Sequence, residues 1–220
     1  METPPLDIIK VAVTGGAGSG KTLVCNRLRE IGLNVVSSDA IARETVAKNS
    51  PAYNRIVNYF GKKVLLSNGN LNRRELRRII INDDAERHTL EKIIHPEITK
   101  NMMLKVYQAQ QAGDAVIVLE IPLLFELGME DNVDAIVVIR TDHKLRVQRL
   151  MDRDSVDEDE AKKLINAQMP DELKVERAHF VLTNNSSKKQ LTKSVDILYE
   201  NILKMIKKDL KLLDSRKIMI

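Results

Sequence analysis

Near-continuous apolar runs, rich in β-branched residues, alternate along this chain with stretches of helical period. Ile8-Ile9 and Val11-Ala12-Val13 make the first run, Leu33-Asn34-Val35-Val36-Ser37 the second, and residues 115–119, 135–139 and 180–183 the rest. None of the five alternates apolar with polar, which is the pattern of strands covered on both faces in a parallel sheet. Helical pattern fills the intervals. Residues 22–31 carry Leu23, Val24 and Leu28 on one side and end at Gly32. Further helices are expected over 40–47, from Pro51, and from Asn72 to Ile81, where Asn72 with Glu75 resembles a capping box with Asn in the Ser/Thr place. Asn68-Gly69 marks a turn. His95-Pro96 is expected to break the next helix before another over 98–112, stopped by Gly113. This alternation predicts an α/β fold: a doubly wound, five-stranded parallel sheet with ligands at its carboxyl edge.

The spacing is uneven. Almost eighty residues, mostly helical in pattern, separate the second run from the third. The chain therefore divides into a core (1–40, 113–140 and 170–220), a helical insertion (41–112) and a charge-rich segment (141–169). In the last, Asp152, Asp154, Asp157 and Glu158 to Glu160 alternate with Arg146, Arg149, Arg153, Lys162 and Lys163, and Asp142 or Thr141 can cap its first helix. Residues 191–213 form an amphipathic helix with Leu198, Ile202, Met205 and Ile206 opposite Lys204, Lys207, Lys208 and Lys211. Its basic face is either a solvated outer surface or a membrane-surface contact.

Composition narrows the class without naming it. The 220 residues are 43% hydrophobic and 30% charged, too mixed for a disordered chain. A net charge of +4 suits a polyanionic ligand, yet no nucleic-acid motif appears, and no nucleic-acid partner is expected. One cysteine, Cys25, excludes an intrachain disulfide, and His88, His95, His143 and His179 lack metal-site spacing. The first residues carry no basic, apolar leader, and no apolar run approaches the roughly 18–20 residues of a membrane span. A cytoplasmic protein without membrane contact, monomeric or weakly self-associating, is the expectation.

Candidate chemistry starts between the first strand and the first helix. Gly15, Gly20, Lys21 and Thr22 satisfy G-x-x-x-x-G-K-[ST] in the strand–loop–helix context that motif needs. Glycines let backbone amides crowd a phosphate where the helix dipole also favours negative charge. Gly16, Ala17, Gly18, Ser19 and Gly20 would thus cradle ATP, with Lys21 on the β/γ-phosphates and Thr22 on Mg²⁺. The N-K-x-D segment of GTPase switches and the L-S-G-G-Q segment of transporter ATPases are both absent. A small-metabolite kinase remains, in which the protein mainly positions groups and neutralises charge. Asp39, just past the second strand, can take a proton from an attacking hydroxyl or hold a metal-bound water, or it can simply cap a helix. Arg149 and Arg153, four apart, either clamp phosphates or join a surface salt-bridge network. Glu120, past the third strand, is either a metal-contacting acid or a strand-end residue.

Together, residues 14–21, Asp39-Ala40-Ile41-Ala42-Arg43, residues 71–77, His95-Pro96, Pro122-Leu123-Leu124-Phe125-Glu126, residues 149–154 and Asn184-Asn185 resemble the dephospho-CoA kinase family. That resemblance implies phosphorylation of the ribose 3′-hydroxyl of dephospho-CoA by ATP with Mg²⁺, the last step of coenzyme A synthesis. It implies Asp39 as general base, Arg149 as a phosphate-contacting lid arginine, and an acceptor site lined by Arg43, His95, Pro122 and Leu123. Arg73, Arg74, Arg77 and Arg78 would help to hold the acceptor's pyrophosphate, or stand as a solvated face. ATP would meet residues 16–22, Leu23, Arg149 and Asn185. The insertion becomes the acceptor-binding domain and 141–169 the lid. Three positions depart from the family's pattern: Ser37 replaces an outer carboxylate before Asp39, Leu23 replaces a second hydroxyl residue, and Ser186 replaces a glycine after Asn184-Asn185. A nucleoside or nucleotide kinase of the same architecture, or a nucleotide-binding regulator without transfer activity, are the alternatives.

Overall fold

The computed structural model describes residues 8–207 and the pair Ile218–Met219. Two compact units emerge, one from the chain up to Val35 together with the chain from Ala109 onward, the other spanning Val36–Gln108.

In the first unit the sheet runs in the order β2-β3-β1-β4-β5. Its strands are β1 (Ile9–Gly15), β2 (Asn34–Ser37), β3 (Val116–Glu120), β4 (Ala135–Arg140) and β5 (Phe180–Thr183). A two-residue strand β6 (Ile218–Met219) pairs beside β5 and extends the expected five. The β1–β3, β1–β4 and β4–β5 pairs are parallel, with Val13 opposite both Glu120 and Val137. Every residue of β3 is buried, as are all of β1 except Lys10. Hence the continuous runs: helices cover both faces. On one face Val24, Cys25 and Leu28 of α1 (Lys21–Glu30) pack with Leu191, Val195, Leu198 and Ile202 of α9 (Lys188–Lys207) against Val11, Val13, Val137 and Leu182. Each such aliphatic side chain contributes about 1.5–3 kcal/mol by leaving water. Cys25 belongs to this core, and burial, reinforced by the Glu120 carboxylate, pushes its thiol pKa far up, so it is an inert packing group. The C-terminal helix begins a turn earlier than expected, and the part expected beyond residue 207 lies outside the described residues.

Between β4 and β5 come α6 (His143–Asp154), α7 (Glu158–Asn166) and α8 (Asp171–Glu176). Asp142 is the N-cap of α6 by position, but its side chain caps nothing, and Thr141 turns its hydroxyl elsewhere.

The second unit holds α2 (Ser38–Thr45), α3 (Pro51–Phe60), α4 (Arg73–Asn82) and all but the last three residues of α5 (Asp84–Gln111). Its own core gathers Tyr53, Ile56, Phe60, Val64, Leu71, Leu76 and Leu90. Ser50 accepts the Tyr53 amide at 3.0 Å and starts α3 ahead of Pro51. Asn72 accepts the Glu75 amide at 3.1 Å, but the Glu75 carboxylate turns to Arg78 rather than back to Asn72, so only half a capping box forms. Two expectations are corrected here. No break occurs at His95-Pro96: α5 runs 28 residues straight through Pro96. Leu90, Met102 and Ala109 are buried on either side of the exposed proline, and that packing outweighs one lost backbone bond. The helix expected over 40–47 starts at Ser38, with Ser37 as N-cap, so Asp39 stands inside the first turn and is not the cap.

Candidate active site

The loop between β1 and α1 is held from all sides by the first unit. Gly15 closes β1 at φ +143°, and a Cβ there would stand 2.4 Å from the Ile139 carbonyl of β4, so only glycine fits this register. Gly20, the N-cap of α1, lies in the left-handed region at φ 93° and has no side chain to satisfy the first amides. With no acidic residue in that first turn, the helix start is an open anion site. Lys21 folds its ammonium onto the Gly15 and Gly16 carbonyls at 2.8 and 3.0 Å. Ser19 is fully buried, and its hydroxyl has no hydrogen-bond partner among the described residues.

Other elements hold the outside of the loop. The Ala17 amide donates to Gln168 Oε1 at 2.6 Å, and the Ala17 carbonyl accepts from Arg146 Nε at 2.8 Å. Arg149 donates to the Gly18 carbonyl at 3.4 Å and to the Asn184 carbonyl at 3.1 Å. Asn184 Nδ2 and the Thr141 hydroxyl both reach the Ser19 carbonyl, at 2.8 and 3.0 Å. Asn185, exposed, accepts the Asp142 amide at 2.9 Å through Oδ1.

Thr22 donates to Glu120 Oε1 at 3.2 Å, and Glu120 is only 7% exposed at the end of β3. Its strand-end position thus brings a buried carboxylate against the loop hydroxyl. Among the described residues no three His, Cys, Asp or Glu side chains gather as a metal site. Two protein oxygens on one side of an anion cradle fit Mg²⁺, which takes one or two protein ligands plus phosphate oxygens and water.

Thr14 ties the segment after β3 to this region by donating to the Pro122 carbonyl at 3.3 Å. Leu123 beyond it is 41% exposed. Glu126 meets the fully buried Lys174 at 2.8 Å and accepts the Met169 amide at 3.0 Å. Burial works against its charge, but Lys174 and the amide bonds outweigh it and hold the carboxyl below the usual range. Arg153, exposed, pairs with its neighbour Asp154. Leu23 spends its amide on the Gly20 carbonyl and lines a small cleft with Asn26, Lys188 and Leu191. Asp39 and Arg43 lie exposed one helical turn apart on α2, Arg74 on the first turn of α4 and His95 mid-way along α5, all in the second unit.

Sequence reasoning passed over Arg146, Asp171 and Gln168. A signal existed for the first: Arg146, Val147 and Leu150 form the buried stripe of α6, and an arginine on an apolar stripe calls for a partner.

The family model for dephospho-CoA kinase matches residues 9–190. The chain belongs to the dephospho-CoA kinase family. It is 38% identical to the dephospho-CoA kinase of Bacillus licheniformis over 81% of this chain and 89% of that one. Against the Syntrophotalea carbinolica dephospho-CoA kinase it is also 38% identical, over 89% and 93% of the two chains. Among solved structures, the dephospho-CoA kinase from Campylobacter jejuni superposes with a TM-score of 0.68 at 26% identity, over 89% of this chain and 97% of that one. A shikimate kinase from Acinetobacter baumannii, at 19% identity and a TM-score of 0.51 over 90% and 94% of the chains, shares the fold. Dephospho-CoA kinases are thus this chain's relatives from the first strand into the last helix, the charge-rich segment 141–169 included.

Proposed function

We propose that this chain transfers the γ-phosphoryl group of ATP to the ribose 3′-hydroxyl of dephospho-CoA, and that the loop 15–22 with its surroundings is the donor half of the site. The observation that carries the reading is the uncapped start of α1, where the amides, Lys21 and Thr22 sit beside the buried Glu120. In the transfer the acceptor oxygen attacks the γ-phosphorus while its proton passes to Asp39, and the bond to the β–γ bridging oxygen breaks to release ADP. Lys21 exchanges the Gly15 and Gly16 carbonyls for phosphate oxygens. Thr22 and Glu120 would hold Mg²⁺, which would supply neutralisation of charge on the phosphates. Arg149, which bonds the Gly18 carbonyl, is assigned to the charge that develops in transfer. Asn185, beyond β5, takes part in the nucleotide site.

Arg43, Arg74 and His95 of the second unit, with Pro122 and Leu123 of the first, are assigned to the acceptor. Residues 41–112 serve as the acceptor-binding domain and 141–169 as the lid. No helix among the described residues is long and apolar enough to cross a membrane. A cytoplasmic enzyme, monomeric or weakly self-associating, acting on a small molecule rather than nucleic acid, accords with these assignments.

The test measures ADP release from Mg-ATP with dephospho-CoA, and separately with a panel of nucleosides and nucleotides. Turnover with dephospho-CoA alone is expected; turnover only on the panel would move the enzyme to another acceptor. Asp39→Asn is expected to retain ATP binding and lose at least 100-fold in kcat, as removal of a general base does. An unchanged kcat would take the proton-transfer role away from Asp39.

A further inference from the structure

Ala17 stands at the outer bend of the loop with both backbone polar groups taken by side chains far along the chain, its amide by Gln168 and its carbonyl by Arg146. Arg146 acts from burial, only 5% exposed, and its Nη1 donates at 2.7 Å to Asp171, itself 11% exposed. The guanidinium lies against Gly16 so closely that a Cβ there would stand 2.1 Å from Nη2. Gly18 faces the backbone of the same arginine, where a Cβ would stand 2.8 Å from its carbonyl oxygen. One arginine therefore meets three consecutive loop residues, Gly16 and Ala17 with a side chain locked by a carboxylate and Gly18 with its backbone.

The next two carbonyls are tied in the same sense, that of Gly18 by Arg149 and that of Ser19 by Asn184 and Thr141. In a trans peptide the C=O of one residue and the N–H of the next point opposite ways. Holding the carbonyls of residues 17 and 19 away from the loop turns the amides of Gly18 and Gly20 into its hollow, while the Ser19 amide donates to the Gly16 carbonyl at 3.1 Å. An apolar side chain in place of Arg146 could fill the same volume, and buried ion pairs are weak contributors to stability. Only a donor fixed in direction can hold that carbonyl.

We infer that Arg146, locked by Asp171, is a positioning residue for the triphosphate: it sets the Ala17 carbonyl so that the Gly18 amide is aimed at phosphate, while Gln168 fixes the other side of Ala17. The inference rests on the loop being the ATP cradle.

The test is titration calorimetry of Mg-ATP without acceptor, together with KM for each substrate, kcat and melting temperature, on wild type, Arg146→Met and Asp171→Asn. Arg146→Met is expected to raise the Mg-ATP dissociation constant about tenfold, the scale of one charge-assisted hydrogen bond. KM for dephospho-CoA should stay within twofold. Asp171→Asn, which keeps a hydrogen-bond acceptor but frees the guanidinium, should raise the ATP constant about threefold. A fall in melting temperature with unchanged ATP affinity would make Arg146 a structural residue only and overturn the inference. An equal rise in KM for both substrates would overturn it as well. Should Arg146→Met fail to fold, Asp171→Asn decides, and an unchanged ATP constant there refutes the role. A wild-type chain that binds no ATP would instead remove the cradle assignment itself.

Discussion

Replacing Gly15 with alanine is expected to cost far more than any ordinary glycine substitution, because two separate penalties meet at one Cβ. The first is conformational. Gly15 sits at φ +143°, where an L-residue pays about 1–3 kcal/mol. The second is steric. The new methyl would stand 2.4 Å from the Ile139 carbonyl, and ordinary contact begins near 3.4 Å, so the two strands must part by about 1 Å. Both are central strands in register at this point, Gly15 opposite Ile139, and no rotamer relieves a clash with backbone. Overpacking of this kind costs about 1–3 kcal/mol. A working total of about 3 kcal/mol corresponds to a fall of roughly 6–12 °C in melting temperature for a chain of this size. Gly32→Ala is the control: its φ of +103° carries the conformational penalty, but nothing lies within 4 Å of the added methyl. Calorimetric melting of both variants separates the terms. Gly15→Ala melting no lower than Gly32→Ala would refute the steric argument and with it the tight β1–β4 seam.

Two further outcomes test the site and its support. Thr22→Val removes the hydroxyl facing Glu120 while keeping its shape, and should raise the Mg²⁺ concentration for half-maximal turnover about tenfold, roughly the value of a hydrogen bond to a charged group; an unchanged Mg²⁺ titration would assign Thr22 to structure. The Glu126 carboxyl is depressed by Lys174 and the amide bonds, so its stabilisation is fully present above the ordinary carboxylate pKa of about 4.3 and is lost as pH falls below it. Glu126→Gln should therefore melt lower at neutral pH and show a flatter fall in melting temperature on acidification, and identical acid limbs would rule out the pair as its source.

What could be read from the sequence was what depends on neighbours along the chain. Four of the five strands declared themselves because β-branched residues in unbroken runs suit strands buried on both faces, and Phe180–Thr183 falls where its run predicts, whereas β2, at the sheet edge, has no buried residue. The glycine loop did so because its geometry demands glycine locally. Pro96 misled because a local rule met a long helix packed on both sides of the proline. Arg146, Asp171 and Gln168 stayed hidden for the opposite reason: their partners lie 129, 25 and 151 residues away, and no periodicity records such distances. Glu120 stood between, placed at a strand end by its run but given a partner, Thr22, only by folding.

The brace around the loop also sets an order of events during synthesis. The loop's residues are made well before Asn184, which reaches the Ser19 carbonyl from 165 residues further on. At about 5–20 residues per second, that interval is roughly 8–33 s. Until then the glycine-rich segment is a strand end with unaimed amides, and ATP in the cell has no preformed hollow to enter. Nucleotide therefore cannot chaperone the chain made before that point; it can reward only a chain in which β5 and Asn184 are already in place.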